Sequence, residues 1–413
     1  MSHAEDRFID EDKSLACVHC GLCLSACPTY LETGNENDSP RGRIYLMRAI
    51  QDGRLPIDDI TVRHIDLCLG CRACETACPS GVEYGNLLEH TRDHLERNYS
   101  RSWFQTFLRR IAIEQVFPFP WRMKLALIPA RIIRALGVVT ILPQFARETL
   151  DLVPAKMKSG RLPLITPAEG TGKGRVGFID GCVMQVMFGD TNQASVNLLT
   201  REGWEVCNPQ DQACCGALYA HNGQLEKARE CARHNIAVFE KHELDAIVIN
   251  AAGCGSTLKD YGKLLENDEK WAERARQFSA KVKDLTEWIS VSNFKPDVTA
   301  EKVTYHDACH LAHPQGITVQ PRALVNAVAG KRFVELPEAD ICCGSAGSYN
   351  LTEPEMAARL QKRKIDHIIS TGAEVVVTSN PGCQLQIQAG LIKAGSNMRV
   401  MHIADFLATS RDE

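Results

Sequence analysis

No stretch of this 413-residue sequence stays apolar for the roughly 20 residues that a membrane-spanning helix needs. The most apolar region, Ala135 to Ala146, runs 12 residues between Arg134 and Arg147, and the uncharged run from Val375 to Ile392 is broken by Pro381, Gly382 and several glutamines. Membrane contact is therefore expected only at a surface or through a partner. Residues 1 to 13 are polar and rich in acid, which reads as an unexported, cytoplasmic chain. An excess of positive charge is missing too: the net charge is -4, which gives no support to nucleic-acid binding. One nucleotide signature is present by letter only. Gly172-x-Gly174-x-x-Gly177 precedes the strand-like run Val176 to Asp180 instead of following a strand and opening a helix, so it is set aside.

What the chain has in excess is cysteine. Of 18 in all, sixteen fall into spaced groups, which in an unexported chain implies a reducing compartment and metal, not a disulfide framework. The first group reads Cys17-x2-Cys20-x2-Cys23-x3-Cys27-Pro28, and the second, 51 residues on, reads Cys68-x2-Cys71-x2-Cys74-x3-Cys78-Pro79. This is the thiolate spacing of a bacterial ferredoxin with two 4Fe-4S clusters, in which the fourth cysteine of each run serves the other cluster. By that rule Cys17, Cys20, Cys23 and Cys78 hold one cluster, and Cys68, Cys71, Cys74 and Cys27 the other. Zinc and disulfides also use Cys-x-x-Cys pairs, but duplication of the whole spacing favours clusters.

Residues 1–100 read as a helical two-cluster module. Ser39-Pro40-Arg41-Gly42-Arg43 has the form of a helix start, with Ile44, Leu46, Met47 and Ile50 following at near-helical spacing. Arg41 and Arg43 either balance the negative charge of a cluster or sit at the surface. Residues 101–173 form a connector. Between Arg101 and Arg147 lie eight basic residues and one acid, Glu114, interleaved with Trp103, Phe104, Phe107, Phe117, Phe119 and Trp121. Such a segment either lies on an anionic membrane, at the inner face of the cytoplasmic membrane, or packs on neighbouring domains.

After the linker the chain repeats itself. Cys182, Cys214-Cys215-Gly216 and Cys254 are matched by Cys309, Cys342-Cys343-Gly344 and Cys383, at offsets of 127 to 129 residues. The near-constant offset marks a duplication, with copies at 174–298 and 299–413. Apolar runs alternate with helical stretches in each copy, which predicts α/β units on small, mostly parallel sheets and hence an α+β multidomain chain overall. The single cysteines should meet at the carboxyl edge of the sheets. Each tetrad has three readings: an iron-sulfur or zinc site, a redox-active dithiol, or inert buried cysteine. His306, His310 and His313 flank Cys309 as extra ligands, proton donors or structural histidines. Cys207 and Cys231 fall outside the repeat and read as core residues.

The stretches Cys17-Val-His-Cys-Gly-Leu-Cys, Pro40-Arg-Gly-Arg-Ile-Tyr-Leu, Cys71-Arg-Ala-Cys-Glu-Thr-Ala-Cys-Pro-Ser-Gly, Cys214-Cys-Gly-Ala, Gly253-Cys-Gly and Cys342-Cys-Gly-Ser-Ala-Gly, in this order, resemble the glycolate oxidase iron-sulfur subunits. These belong to a wider group that joins a two-cluster ferredoxin module to two CCG cysteine-rich domains. The resemblance covers essentially the full length. It implies a subunit without catalysis of its own, which takes electrons from flavin-containing subunits oxidising glycolate to glyoxylate and carries them towards a quinone or other membrane acceptor. Sister systems for lactate or glycerol 3-phosphate, and a thiol catalyst like the heterodisulfide reductases, are the alternatives. One departure stands out: the fuller CCG motif ends in Cys-x-x-Cys, whereas Cys254 and Cys383 have no such partner, so each repeat offers four sulfurs rather than five.

Overall fold

A computed structural model describes residues 7–136, 160–294 and 299–409, together with 150, 153, 154 and 157. Most of the apolar run Ala135 to Ala146, together with Arg147, lies outside the described residues.

The amino-terminal module is helical, and its helices begin where local chemistry says they should. Ser39 accepts a hydrogen bond from the Gly42 amide at 3.0 Å and Pro40 occupies the first helical position, so Pro40–Gln51 starts with one orphan amide satisfied and one absent. Ile44, Met47 and Ile50 then fall on the face that packs against Val62, Ile65 and Leu87 from helices Asp59–Asp66 and Tyr84–Asn98. The two cysteine runs are the loops between helices, and their backbones repeat along with their sequence. His19 and Gly70, then Gly21 and Arg72, occupy the same places in the two motifs, and all four have positive φ.

The carboxy-terminal part carries two sheets. Strands β1 (Ile165–Thr166), β2 (Gly174–Phe178), β3 (Trp204–Cys207), β4 (Ala246–Ile249) and β5 (Val282–Asp284) lie in the order β1-β3-β2-β4-β5, parallel except for β1. In the second repeat β6 (Val303–His306), β7 (Val375–Thr378) and β8 (Arg399–His402) form a parallel sheet of three. The counterpart of β3 is reduced to a single bridge between Val303 and Phe333. Every residue of β4, β6 and β7 is buried, as befits parallel strands covered by helices on both faces. Gly172 and Gly174 lie before and at the start of β2, so no nucleotide loop forms there.

The repeats are not beads on a string. One apolar core takes Phe178, Val248 and Leu199 from the first repeat and Tyr305, Val377 and Phe406 from the second. Asp405, in the last helix, accepts a 2.8 Å hydrogen bond from Thr191.

Candidate metal centres and the cavity between the repeats

Each repeat builds its cysteine tetrad in the same way. Cys182 and Cys309 open helices just beyond β2 and β6, while Cys254 and Cys383 lie in the first turns of helices that follow β4 and β7. All four therefore stand at the carboxyl ends of parallel strands. The Cys-Cys-Gly loop brings the other two sulfurs. Gly216 and Gly344 have φ of 85° and 87°, and an added Cβ would lie 3.2 Å from Ala228 Cα and 2.7 Å from the Ala357 carbonyl oxygen. Only glycine fits, and that explains the third letter of the motif. Cys182 and Cys214 sulfurs are 3.8 Å apart. Their neighbours' thiols hold Cys214 and Cys343 well below the ordinary thiol range, the first through Cys182 and Cys215, the second through Cys342 and Cys383.

The three histidines near Cys309 separate cleanly. His310 donates to the Gly70 carbonyl at 3.1 Å, and His313 reaches the Asp340 carbonyl at 3.2 Å. His306 is fully buried and neither ring nitrogen has a partner within the chain. Leaving such a group unsatisfied costs about 1–3 kcal/mol. Cys207 is buried at the end of β3, and Cys231 packs beside Ala228, behind the Cys214-Cys215-Gly216 loop.

In the amino-terminal module Cys27, Cys68, Cys71 and Cys74 line one cavity of about 20 Å³. Gly70 donates its amide to the Cys68 sulfur at 3.4 Å and Tyr84 its hydroxyl at 3.5 Å. Arg43 is fully buried here, donating to the His64 carbonyl and the Thr29 hydroxyl. Burial pushes the Cys68 thiol up, but Arg43 and Arg92 outweigh it and bring the thiol below its usual value. Arg41 is partly exposed and donates to Glu36 and the His19 carbonyl. The donor set is thus four sulfurs with a buried cation against them, which fits an anionic iron-sulfur cluster. Cys17, Cys20 and Cys23 lie towards the surface, Cys20 exposed and the other two half-buried, with Val18 and Leu22 bare beside them. Cys17 and Cys78 both pack on the helical core.

The module docks through its second motif. Leu67, Leu69 and Cys71 share an apolar cluster with Cys309, Cys342 and Tyr349 of the second repeat. Arg72 bridges to Asp260 of the first at 2.6 Å. Beyond this seam a cavity of about 480 Å³ opens between the repeats, walled largely by apolar groups. Cys182, Cys214, Cys254, Cys309 and Cys383 border it from the two repeats, Leu69 from the module, and Phe117, Met123 and Leu127 from the connector. A second, polar cavity of about 650 Å³ lies alongside, and His221 borders both. His221 is paired with Glu89 at 2.9 Å and stacks on His310, ring centroids 5.0 Å apart.

Comparison with known proteins assigns these parts. Residues 13–82 match a 4Fe-4S dicluster domain, and residues 176–259 and 303–388 each match a cysteine-rich domain termed CCG. A probable glycolate oxidase iron-sulfur subunit of Bacillus subtilis is 40% identical over 98% of this chain and 97% of its own. The glycolate oxidase iron-sulfur subunit of Escherichia coli is 35% identical over 92% and 91%. This chain belongs to the glycolate oxidase iron-sulfur subunit family. It is an electron-transfer iron-sulfur protein with two 4Fe-4S clusters in its dicluster domain, and its CCG domains point to further iron-sulfur binding. The crystal structure of a hypothetical protein from Helicobacter pylori has the same fold, with a TM-score of 0.57 at 9% identity, covering 98% of this chain and 73% of that one.

The residues that sequence reasoning missed in this family member are Tyr349, His221 and Glu89. None stands in a spaced pattern, and only packing brings them to the seam. The basic connector also differs from expectation. Arg101 and Arg109 turn inward to Asp66 and Glu96, at 2.5 and 2.6 Å, and Arg134 donates to the Pro154 carbonyl. The connector exposes Trp103, Phe107, Trp121, Leu125 and Ile132, interleaved with exposed Arg110, Lys124 and Arg131. Among the described residues no helix is long and apolar enough to cross a membrane.

Proposed function

We propose that the chain is the electron relay of a complex that oxidises glycolate, with a flavin-containing partner supplying electrons and a quinone receiving them. The observation that carries this reading is a continuous path. An exposed cysteine motif lies at one end, a buried thiolate site in the middle, and an apolar cavity at the far side of the seam. Cys17, Cys20 and Cys23, with Cys78, hold the outer cluster where a partner can reach it. Cys68, Cys71, Cys74 and Cys27 hold the inner one. Bound there, 4Fe-4S clusters accept and release one electron at a time, which couples a two-electron donor to a one-electron path. The eight cysteines of the CCG repeats are ligands for further metal.

Reduction of a quinone takes two electrons and two protons. The 480 Å³ cavity offers apolar walls for the ring. His221, between this cavity and the polar one and paired with Glu89, is placed to pass protons inward from water. The exposed apolar side chains of the connector rest on the membrane and put the cavity within reach of a lipid-soluble acceptor. The chain alone binds no hydroxy acid.

The test uses the chain assembled with its flavin subunits. Glycolate should bleach the cluster absorption and reduce quinone, while the chain alone does neither. Leu218 also lines the cavity, and Leu218→Trp, which fills it, should leave bleaching intact and cut quinone reduction tenfold or more. Glycolate turnover by the isolated chain, or undiminished quinone reduction in the variant, would overturn the proposal.

A further inference from the structure

We propose that the second CCG repeat binds a single zinc ion through His306, Cys343 and Cys383, with a fourth sulfur from the adjoining Cys309 and Cys342. This deepens, and rests on, the reading of that tetrad as a metal-ligand set. The donor atoms of His306, Cys343 and Cys383 all lie within 4.8 Å of one another, the one such triple among the described residues. Zinc bonds to sulfur at about 2.3 Å and to imidazole nitrogen at about 2.0–2.1 Å, so donors on one ion lie within about 4.6 Å of each other. A four-iron cube attaches each thiolate to a different iron and spreads them further. The cysteines of the dicluster domain form no such triple among the described residues.

His306 supplies an independent observation. It is 0% exposed, both nitrogens lack a partner, and it stands at the carboxyl end of β6 where the tetrad converges. A ligand is what is missing around it. His310, His313 and His402, its neighbours in kind, all reach backbone carbonyls. Charge is accounted for as well. Two thiolates and a neutral imidazole balance a divalent ion. Buried Lys364, which donates to the Glu338 and Ala339 carbonyls, stands close enough to this loop to face a third thiolate.

The first repeat has none of this. At an offset of 127 residues His306 corresponds to Ile179, which is buried and apolar. At the 129-residue offset set by Ala228 and Ala357, Lys364 corresponds to Asn235, which bonds the Cys214 carbonyl at 3.1 Å. The duplicated domains therefore share a scaffold and differ in the metal it selects. Zinc has no redox chemistry, so the second repeat acts as a fixed wall of the cavity and electrons pass it by.

The test is metal analysis and zinc-edge X-ray absorption on the full chain purified without oxygen. The expected result is about one zinc per chain, with nitrogen and sulfur in its first coordination sphere. In His306→Cys the nitrogen should give way to sulfur, and in His306→Ala zinc should fall about tenfold or more. Visible cluster absorption should stay unchanged in both variants, which also reports that the chain is folded. Absence of zinc, an all-sulfur wild-type sphere, or iron in place of zinc overturns the proposal without reference to any variant. If Cys343→Ser strips metal while His306→Ala retains it unchanged, the tetrad still binds metal and the role of His306 fails. Metal unaffected by either substitution removes both.

Discussion

The Tyr349 hydroxyl donates a 2.7 Å hydrogen bond to the carbonyl of Leu67. Tyr349 follows the Cys342-Cys343-Gly344 loop, and Leu67 precedes Cys68, so one bond ties the inner thiolate site of the dicluster domain to the second CCG tetrad. The bond holds the inner site against the repeat that walls the apolar cavity.

Cys27→Ser should damage the same cluster as Cys71→Ser, although the two belong to different motifs, because Cys27 lines the cavity of Cys68, Cys71 and Cys74. Cys78→Ser should damage the other. Electron paramagnetic resonance of the reduced variants distinguishes the two signals. Loss of the Cys71→Ser signal from Cys78→Ser, with Cys27→Ser losing the other, would show that the pairing is not crossed.

Arg43 is buried against Cys68 and Cys27, which together with Tyr84 and Asp38 hold its charge in place against the penalty of burial. Removing a cation beside a cluster disfavours the reduced, more negative state. At an effective dielectric of about 20 and a separation of about 8 Å the Coulomb term is about 2 kcal/mol. Arg43→Met should therefore lower the midpoint potential of the inner cluster by on the order of 50–100 mV, and Arg43→Lys should recover part of it. A redox titration in which Arg43→Met leaves both midpoints in place would contradict this.

Asp284 caps helix Leu285–Trp288 from a buried position, and burial raises its carboxyl from 3.8 to about 6 in spite of the hydrogen bonds from Thr286. The native state then holds a proton that the unfolded state has lost, so this group's contribution to stability falls as pH rises from about 4 to about 6. Two pK units amount to about 3 kcal/mol. Denaturation midpoints measured across that window should drop in the wild type and stay flatter in Asp284→Asn. Equal slopes would mean that other groups set the dependence.

Sedimentation of the assembled complex with vesicles should depend on Trp103, Phe107, Trp121 and Leu125, which stand exposed on the connector. Replacing the four by serine should release most of the bound complex. Added salt should release part of it, because Arg110, Lys124 and Arg131 stay exposed while Arg101 and Arg109 are spent on Asp66 and Glu96. Binding that survives the serine variant but vanishes in salt would return the role to the charges.

The sixteen grouped cysteines were legible because ligands that share a loop must keep fixed spacing. The duplication showed itself the same way, and the α/β reading followed from fully apolar runs such as Val375–Thr378. The order of the sites along the path was not legible. It depends on which face of a loop meets which repeat, and Leu67, Leu69 and Tyr349 carry no pattern that announces it. Three histidines near Cys309 looked equivalent in the sequence, and what separates His306 is the absence of a carbonyl within its reach. Arg101 and Arg109 looked like surface charge because their partners Asp66 and Glu96 belong to other helices.

The common core of Phe178, Val248, Tyr305 and Phe406 has a consequence for anyone who would cut or recombine this gene. The duplicated halves have grown into each other, so a break at residues 295–298 would strand two apolar faces in water. A chimera that exchanges one half for that of a relative would have to exchange the matching half of the core with it. Ancestrally separable copies have become a single inheritance unit, free to diverge in the side chains around each cysteine tetrad but no longer in the surface by which each holds the other.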